Sequence, residues 1–303
     1  MPASFHALLG GRLPDEPGGE AGEHWVARLP QLITEHLDRW ELHPDGAAWH
    51  GECAMVLPVT ATDGSRAALK LTWPHVEAGL EHIALRAWGG RGAVTLLAAH
   101  PAEFVLLLER LDGDRTLREV PILEACEIVG GLFGELDRPC PAPVAPVSSK
   151  ATRWREQLSA TSAFLPRRLT GQARATLDDL LAGAPSPRLV HEDLHDGNVL
   201  AADRADWLAI DPKPVGGEWA YAVAPIVWNR PGAAARATSL RRHVQLRADI
   251  VADVAGLDRD RVYAWTFVRL VLNAVWAADY APASGDFAGR MIALAKAFAD
   301  GPD

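Results

Sequence analysis

Cysteine is scarce in this chain. Cys53, Cys126 and Cys140 are odd in number and lack paired spacing, which argues against a disulfide framework or a paired-cysteine zinc site. They read as reduced, mostly structural thiols, and the expected location is cytoplasmic. Long apolar runs are also missing. The most hydrophobic stretch, "VYAWTFVRLVLNAVWAADY", carries Arg269, Asn273 and Asp279 and reads as a buried helix, not a membrane span. No basic segment followed by an apolar core opens the sequence, so no secretory leader is expected. Basic clusters are absent, and a formal net charge of −9 disfavours nucleic acid as a partner. The same charge draws in cationic small molecules. There is no G-x-G-x-x-G phosphate loop.

What the chain does have is a sizeable core-forming fraction, 49% hydrophobic against 23% charged, as in an ordinary globular protein. Residues 23–42 have helical spacing. "AMVLPVTATDGSRAALKLTW" is two β-prone runs around Asp63-Gly64, a hairpin signal. Pro74 opens a predicted helix that Gly89-Gly90 closes, with Val76, Leu80, Ile83 and Ala87 as its apolar stripe. The runs "AVTLLAAH" and "EFVLLLERL" predict two further strands, and helical patterns dominate from residue 112. The expected organisation is α+β: a strand-rich unit over 1–111, with a helical extension at 23–42, and a helical unit over 112–303. A monomer is the default.

The stretch "LVHEDLHDGNVLAADRADWLAIDPK" concentrates the chemistry. With "NVLAA" and "WLAID" as antiparallel strands around "DRAD", Asn198 and Asp211 are equidistant from the turn and face each other across the ladder. Two oxygen donors so placed suit a hard cation, Mg²⁺ first. Asp193, five residues before Asn198, is then the candidate base that accepts a proton from an attacking hydroxyl. A carboxylate beside a two-ligand Mg²⁺ site suits phosphoryl transfer, and a kinase catalytic loop has the same Asp-to-Asn spacing.

A kinase also needs a strand lysine on the nucleotide phosphates and a helical glutamate to hold it. Lys70 ends the run "RAALK", where burial demands a partner. Glu81 is the first candidate and Glu77 the second. Gly51, in "WHGECAM", is the candidate for the phosphate-covering loop despite being a lone glycine. Glu109 and Leu111 are the candidates to offer backbone groups to adenine.

On these motifs the chain resembles the aminoglycoside phosphotransferases, in the branch of streptomycin 6-kinases and hydroxyurea phosphotransferases. The resemblance runs through "DRWEL", "VLPVTATDGSRAALKLTWPH", "LLLERLDGDRTL", "HEDLHDGNVLAADRADWLAIDPKP" and "APIVWNR". It implies a bilobal, protein-kinase-like fold with a small β-rich N-lobe, one key helix and a larger helical C-lobe. It implies ATP and Mg²⁺, with the γ-phosphate passing to an antibiotic hydroxyl, that of an aminoglycoside such as streptomycin first and hydroxyurea as the alternative. Asp193 is then the base, Asn198 and Asp211 the metal ligands, and Lys70 the phosphate holder.

The sequence departs from the family pattern at Glu192, where a small or aromatic residue is usual, and at Glu218 and Ala222, where aspartates are expected. Ala222 and the poor glycine loop recommend a rival reading, a kinase-shaped protein that binds without turnover. A second rival is a metal-dependent hydrolase with His191, Asp193, His195 and Asp196 as zinc ligands. Acceptor contacts are expected from Glu218, Trp228 and Asp279 in the helical half.

Overall fold

The structure is a computed structural model that describes residues 3–14, 19–160, 165–280 and 285–300. It divides into two compact units, Met1–Arg115 with Leu200–Lys213, and Thr116–Val199 with Pro214–Asp303. The division differs from the expected boundary at residue 111, because a segment from late in the chain returns to the first unit. The strands Val199–Ala201 and Leu208–Ala209 extend the strand Asp112–Thr116 into a three-stranded sheet. Arg204, in the turn between them, holds Glu109 through paired contacts of 2.7 and 2.9 Å.

The first unit begins with helices α1 (Ala3–Leu9) and α2 (Gly22–Arg39). Its main sheet holds β1 (Leu42–Pro44), β2 (Trp49–His50), β3 (Ala54–Ala61), β4 (Arg66–Thr72), β5 (Leu96–His100) and β6 (Val105–Glu109). The order is β1-β3-β4-β6-β5, with β2 paired to β3. The β3–β4 hairpin turns at Asp63-Gly64, where Gly64 takes φ +84°, a backbone region that glycine enters without a Cβ clash. Trp25, Val26, Leu29 and Leu32 of α2 pack with Met55, Val59, Leu69, Leu71 and Val105 of the sheet. Each such fully buried side chain stabilises the unit by about 2 kcal/mol.

Helix α3 is shorter than predicted, Glu81–Trp88, preceded by a single turn at Val76–Ala78. Its buried face is Glu81, Ala84, Leu85 and Trp88, whereas Val76 of the predicted stripe is 63% exposed. The stripe assumed that an acidic residue sits on the flank. Here the helix turns Glu81 inward because the sheet supplies a cation for it.

The second unit is mostly helical: α4 (Ile122–Leu136), α5 (Ala151–Ser159), α6 (Arg167–Ala182), α7 (Ala224–Trp228), α8 (Pro231–Ala235), α9 (Leu240–Ala255), α10 (Arg259–Tyr280) and α11 (Gly285–Phe298). Strand Arg188–His191 pairs antiparallel with Pro214–Gly217, His191 opposite Pro214. Helix α10 buries Val262, Tyr263, Trp265, Phe267, Val268, Leu270, Val271 and Val275 on several sides, as its all-round apolar pattern predicts. Among the described residues no helix is long and apolar enough to cross a membrane.

Candidate functional site

In the first unit the central strand β4 carries Lys70, opposite Val56 on one side and Leu106 on the other. Flanked by Leu69 and Leu71, which are fully buried, the ammonium has no access to bulk water and must be paired. Its Nζ donates to both oxygens of Glu81 at 2.7 and 2.8 Å and to Oδ1 of Asp211 at 2.5 Å. Burial alone pulls the ammonium's pKa down, but Asp211 and Glu81 overcome it and hold Lys70 protonated above its ordinary range. Glu81, not Glu77, is therefore the partner of Lys70; Glu77 is half-exposed and lies 3.1 Å from Lys213.

Asp211 takes φ +54°, a left-handed backbone that aspartate tolerates better than most residues. It lies beyond the end of its strand, which stops at Ala209, and Asn198 lies in the 3₁₀ turn Asp196–Asn198 before its own strand begins. The expectation that both sit on a ladder is corrected. The strands are shorter than "NVLAA" and "WLAID": the Asn198 N–H donates to the His195 carbonyl in a turn, and Ala209 bonds through its backbone to Gly92 and Val94.

Gly51 sits in the β2–β3 turn, where its N–H donates to the Ala54 carbonyl at 2.9 Å, so the loop is a tight hairpin turn and not a glycine-rich strap. Glu109 ends β6. Its N–H donates to the Thr95 carbonyl and its carboxylate accepts from Thr95 N and from Arg204. Leu111 is buried two residues on.

In the second unit the loop after His191 is braced by its own backbone. The Asp193 N–H donates to His191 Nδ1 at 3.2 Å, Asn198 Nδ2 donates to the Asp193 carbonyl at 2.9 Å, and Gly197 N–H donates to His195 Nδ1 at 2.9 Å. With its Nδ2 committed, Asn198 has Oδ1 as the atom to offer a cation. Asp196, 1% exposed, pairs with Arg230 at 2.6 Å. Arg230 also donates to the carbonyls of Val120, at 2.5 Å, and Leu117. The zinc-hydrolase arrangement is not formed: the two imidazoles accept backbone N–H bonds, Asp196 is paired, and the four side chains make no converging ligand set among the described residues.

Glu192, the first departure from the family pattern, is held by Lys150 at 2.7 and 2.5 Å and by the hydroxyl of Tyr221. Burial pushes its carboxyl up, yet Lys150 and Arg269 outweigh it and keep Glu192 below the usual carboxylate range. The Arg269 guanidinium covers Tyr221 at 4.3 Å and Trp228 at 5.0 Å from the ring centres. Ala222 is fully buried in the 3₁₀ segment Trp219–Val223, where a methyl needs no partner.

Glu218 is not an open acceptor contact. Both its oxygens are taken, by Arg261 Nε at 2.6 Å and NH2 at 2.5 Å and by the Trp265 indole at 2.6 Å, which pins α10 to the segment after the Pro214–Gly217 strand. The side chain of Asp279 lies outside the described residues.

The sequence reading missed Arg230, although it quoted the motif "APIVWNR" that contains it. Arg247, fully buried in α9, donates to the carbonyls of Ile226, Val227 and Asn229 and so caps α7 just ahead of Arg230. Replacing Arg230 with Leu strands the buried Asp196 carboxylate. The expected loss is about 3–5 kcal/mol in urea unfolding, largely recovered by adding Asp196→Asn. A single variant within 1 kcal/mol of the parent would show that the pair does not hold the loop.

The chain matches the model of the aminoglycoside/hydroxyurea antibiotic resistance kinases over residues 39–281. It is 40% identical to the streptomycin 6-kinase of Streptomyces glaucescens over 283 residues, covering 91% of this chain and 92% of that one. It is also 40% identical to the hydroxyurea phosphotransferase of Kitasatospora aureofaciens, over 86% of this chain and 76% of that one. Its fold is similar to that of a thermostable mutant of aminoglycoside phosphotransferase APH(4)-Ia, solved with AMP-PNP and hygromycin B. There the TM-score is 0.55 at 16% identity, over 88% of this chain and 98% of that one. With a buried strand lysine clasped by a helical glutamate, and an aspartate five residues ahead of an asparagine in a braced loop, the chain belongs to the aminoglycoside/hydroxyurea antibiotic resistance kinase family.

Proposed function

We propose that the protein transfers the γ-phosphate of ATP to a hydroxyl of a cationic antibiotic, a streptomycin-like aminoglycoside at its 6-hydroxyl, in the cytoplasm. The observation that carries the kinase reading is Lys70, kept charged between Glu81 and Asp211. A fixed ammonium of this kind orients nucleotide phosphates and offsets their charge without reorganising. Glu81 fixes the direction of that ammonium. Gly51's hairpin turn supplies backbone over the phosphates, and an adenine contact falls to the Glu109 carbonyl and the Leu111 N–H.

In the second unit Asp193 is the proposed base. Its backbone is held at both the N–H and the carbonyl, which supports a fixed position for the base. It holds the acceptor hydroxyl's proton as the oxygen attacks. Asp211 offers a carboxylate and Asn198 an amide oxygen, each a hard ligand of the kind that suits magnesium. When bound, the ion neutralises phosphate charge. Trp228, with Arg269 over it, is proposed to line the acceptor side. Glu218 is left out of that role because its oxygens are already bonded.

Streptomycin is placed ahead of hydroxyurea by the greater coverage of its kinase, 92% against 76% of the relative's length at equal identity. The net charge of −9 also suits a cation. The test is ADP release with MgATP over a panel of streptomycin, other aminoglycosides and hydroxyurea. Streptomycin is expected to raise ADP release at least ~100-fold above the acceptor-free rate, consistent with ordinary kinase turnover. Turnover with hydroxyurea alone would move the chain to that branch, and nucleotide binding with no turnover on any acceptor would favour the silent binder.

A further inference from the structure

We propose that His36, His100 and Glu103 form a site for a divalent transition metal, zinc first, that ties helix α2 to the corner between strands β5 and β6. None of the three belongs to the machinery assigned above, and all three lie in the first unit.

His36 is fully buried on the inner face of α2. Its Nδ1 lies 3.0 Å from the Leu32 carbonyl, which can only accept, so Nδ1 carries the proton. That leaves Nε2 with a lone pair, and this buried atom has no hydrogen-bond partner. What faces it is Glu103, in the turn Pro101–Glu103, whose Oε2 is 3.3 Å away. The same oxygen is 2.9 Å from Nδ1 of His100, at the end of β5, and that nitrogen is also buried without a hydrogen bond. A lone pair on His36 Nε2 repels a carboxylate oxygen at such a distance unless a proton or a metal ion stands between them.

The cation is more than a shared proton. The contacts miss hydrogen-bond geometry, yet one ligand atom from each residue lies within 4.8 Å of the other two. Ligands about 2.0 Å from a tetrahedral zinc are separated by about 3.3 Å, the spacing seen between His36 and Glu103. Two imidazoles and one carboxylate are a borderline-soft set that suits zinc and its neighbours over magnesium or calcium. The Leu32 carbonyl on His36 Nδ1 is the outer contact that fixes a metal-bound imidazole's tautomer and direction. The Trp40 ring stands edge-on to His36 at 5.2 Å and closes the apolar side. His100 and Glu103 are 30% and 29% exposed, which gives the ion an entry and leaves a fourth position for water. Strand β5 is a sheet edge, so a clasp from α2 there holds an element otherwise paired on one side only.

The experiment uses the full-length chain, stripped with chelator and titrated with Zn²⁺ and with Co²⁺. The expected result is one ion per chain, visible-absorption bands of tetrahedral intensity for Co²⁺, and a Tm that climbs with free Zn²⁺ as ligand linkage requires. His36→Ala opens the core and is not used. His100→Ala and Glu103→Ala, at half-exposed positions, are expected to weaken binding at least ~10–100-fold while leaving the metal-free Tm near that of the parent. His24→Ala, at an exposed position on α2, is expected to bind like the parent. Parent protein that takes up no metal at micromolar concentration, or His100→Ala that binds zinc as the parent does, overturns the site.

Discussion

Asp193→Asn is expected to lower streptomycin-dependent ADP release about 10³-fold, within the 10²–10⁴ range for loss of a general base. That corresponds to about 4 kcal/mol of transition-state stabilisation. The substitution is nearly isosteric and leaves in place two backbone contacts of residue 193, its N–H to His191 Nδ1 and its carbonyl from Asn198 Nδ2. Both survive the change of side chain. The variant should therefore still fold cooperatively in urea, and nucleotide affinity should be unchanged. Asp196→Asn makes the contrast. That residue is buried on Arg230, so its replacement should act first on stability and only through it on turnover. An Asp193→Asn protein that keeps a third of the parent's rate, stably folded, removes this residue from the proton's path.

Parts of this architecture were legible because they are local. The Asp63-Gly64 hairpin, the Gly89-Gly90 helix stop and the Asp193-to-Asn198 spacing each depend on residues close in sequence. Lys70 was legible for a different reason: a lysine inside an apolar strand cannot remain unpaired, so its partner had to be a nearby acid. What escaped depends on long-range contact. Arg230 reaches Asp196 and the Leu117 and Val120 carbonyls from more than thirty positions away, and nothing in the local pattern marks it. Glu192 and Glu218 looked like departures that weaken the site. Lys150, Arg269, Arg261 and Trp265, all distant in sequence, instead make them paired members of the core. The ladder placement of Asn198 and Asp211 failed because symmetry about a turn does not say where the strands end. The left-handed backbone at Asp211 is invisible in an aspartate's name.

Lys70→Met is expected to cost both turnover and stability, and pH separates the two. The ammonium and Glu81 are each about 5% exposed, so removing the cation leaves a buried carboxylate without its charge partner, at about 3–5 kcal/mol. Burial pushes Glu81 up to about 7 even with Lys70 beside it, against an ordinary value of 4.5. Without the ammonium that value rises further, and the acid takes a proton instead. The sign follows from proton linkage. A carboxyl whose folded pKa lies above its unfolded one binds more protons folded than unfolded, so stability falls as pH rises from about 4.5 toward the folded value. In the parent that window closes near 7, and Lys70, raised in the fold, adds stability fully present below its ordinary 10.5. In Lys70→Met the lysine contribution is gone and the Glu81 window stretches past 7. The Tm deficit should therefore be larger at pH 8 than at pH 5. Lys70→Met with Glu81→Gln should lose the pH dependence and regain most of the stability, since no ionisable group remains buried on that contact. Turnover should stay down about 10²–10³-fold in the double variant, the usual cost of removing one preorganised electrostatic donor. A deficit equal at pH 5 and pH 8 would mean that Glu81 does not take up the proton. A double variant that is stable and fully active would mean that the ammonium positions no phosphate.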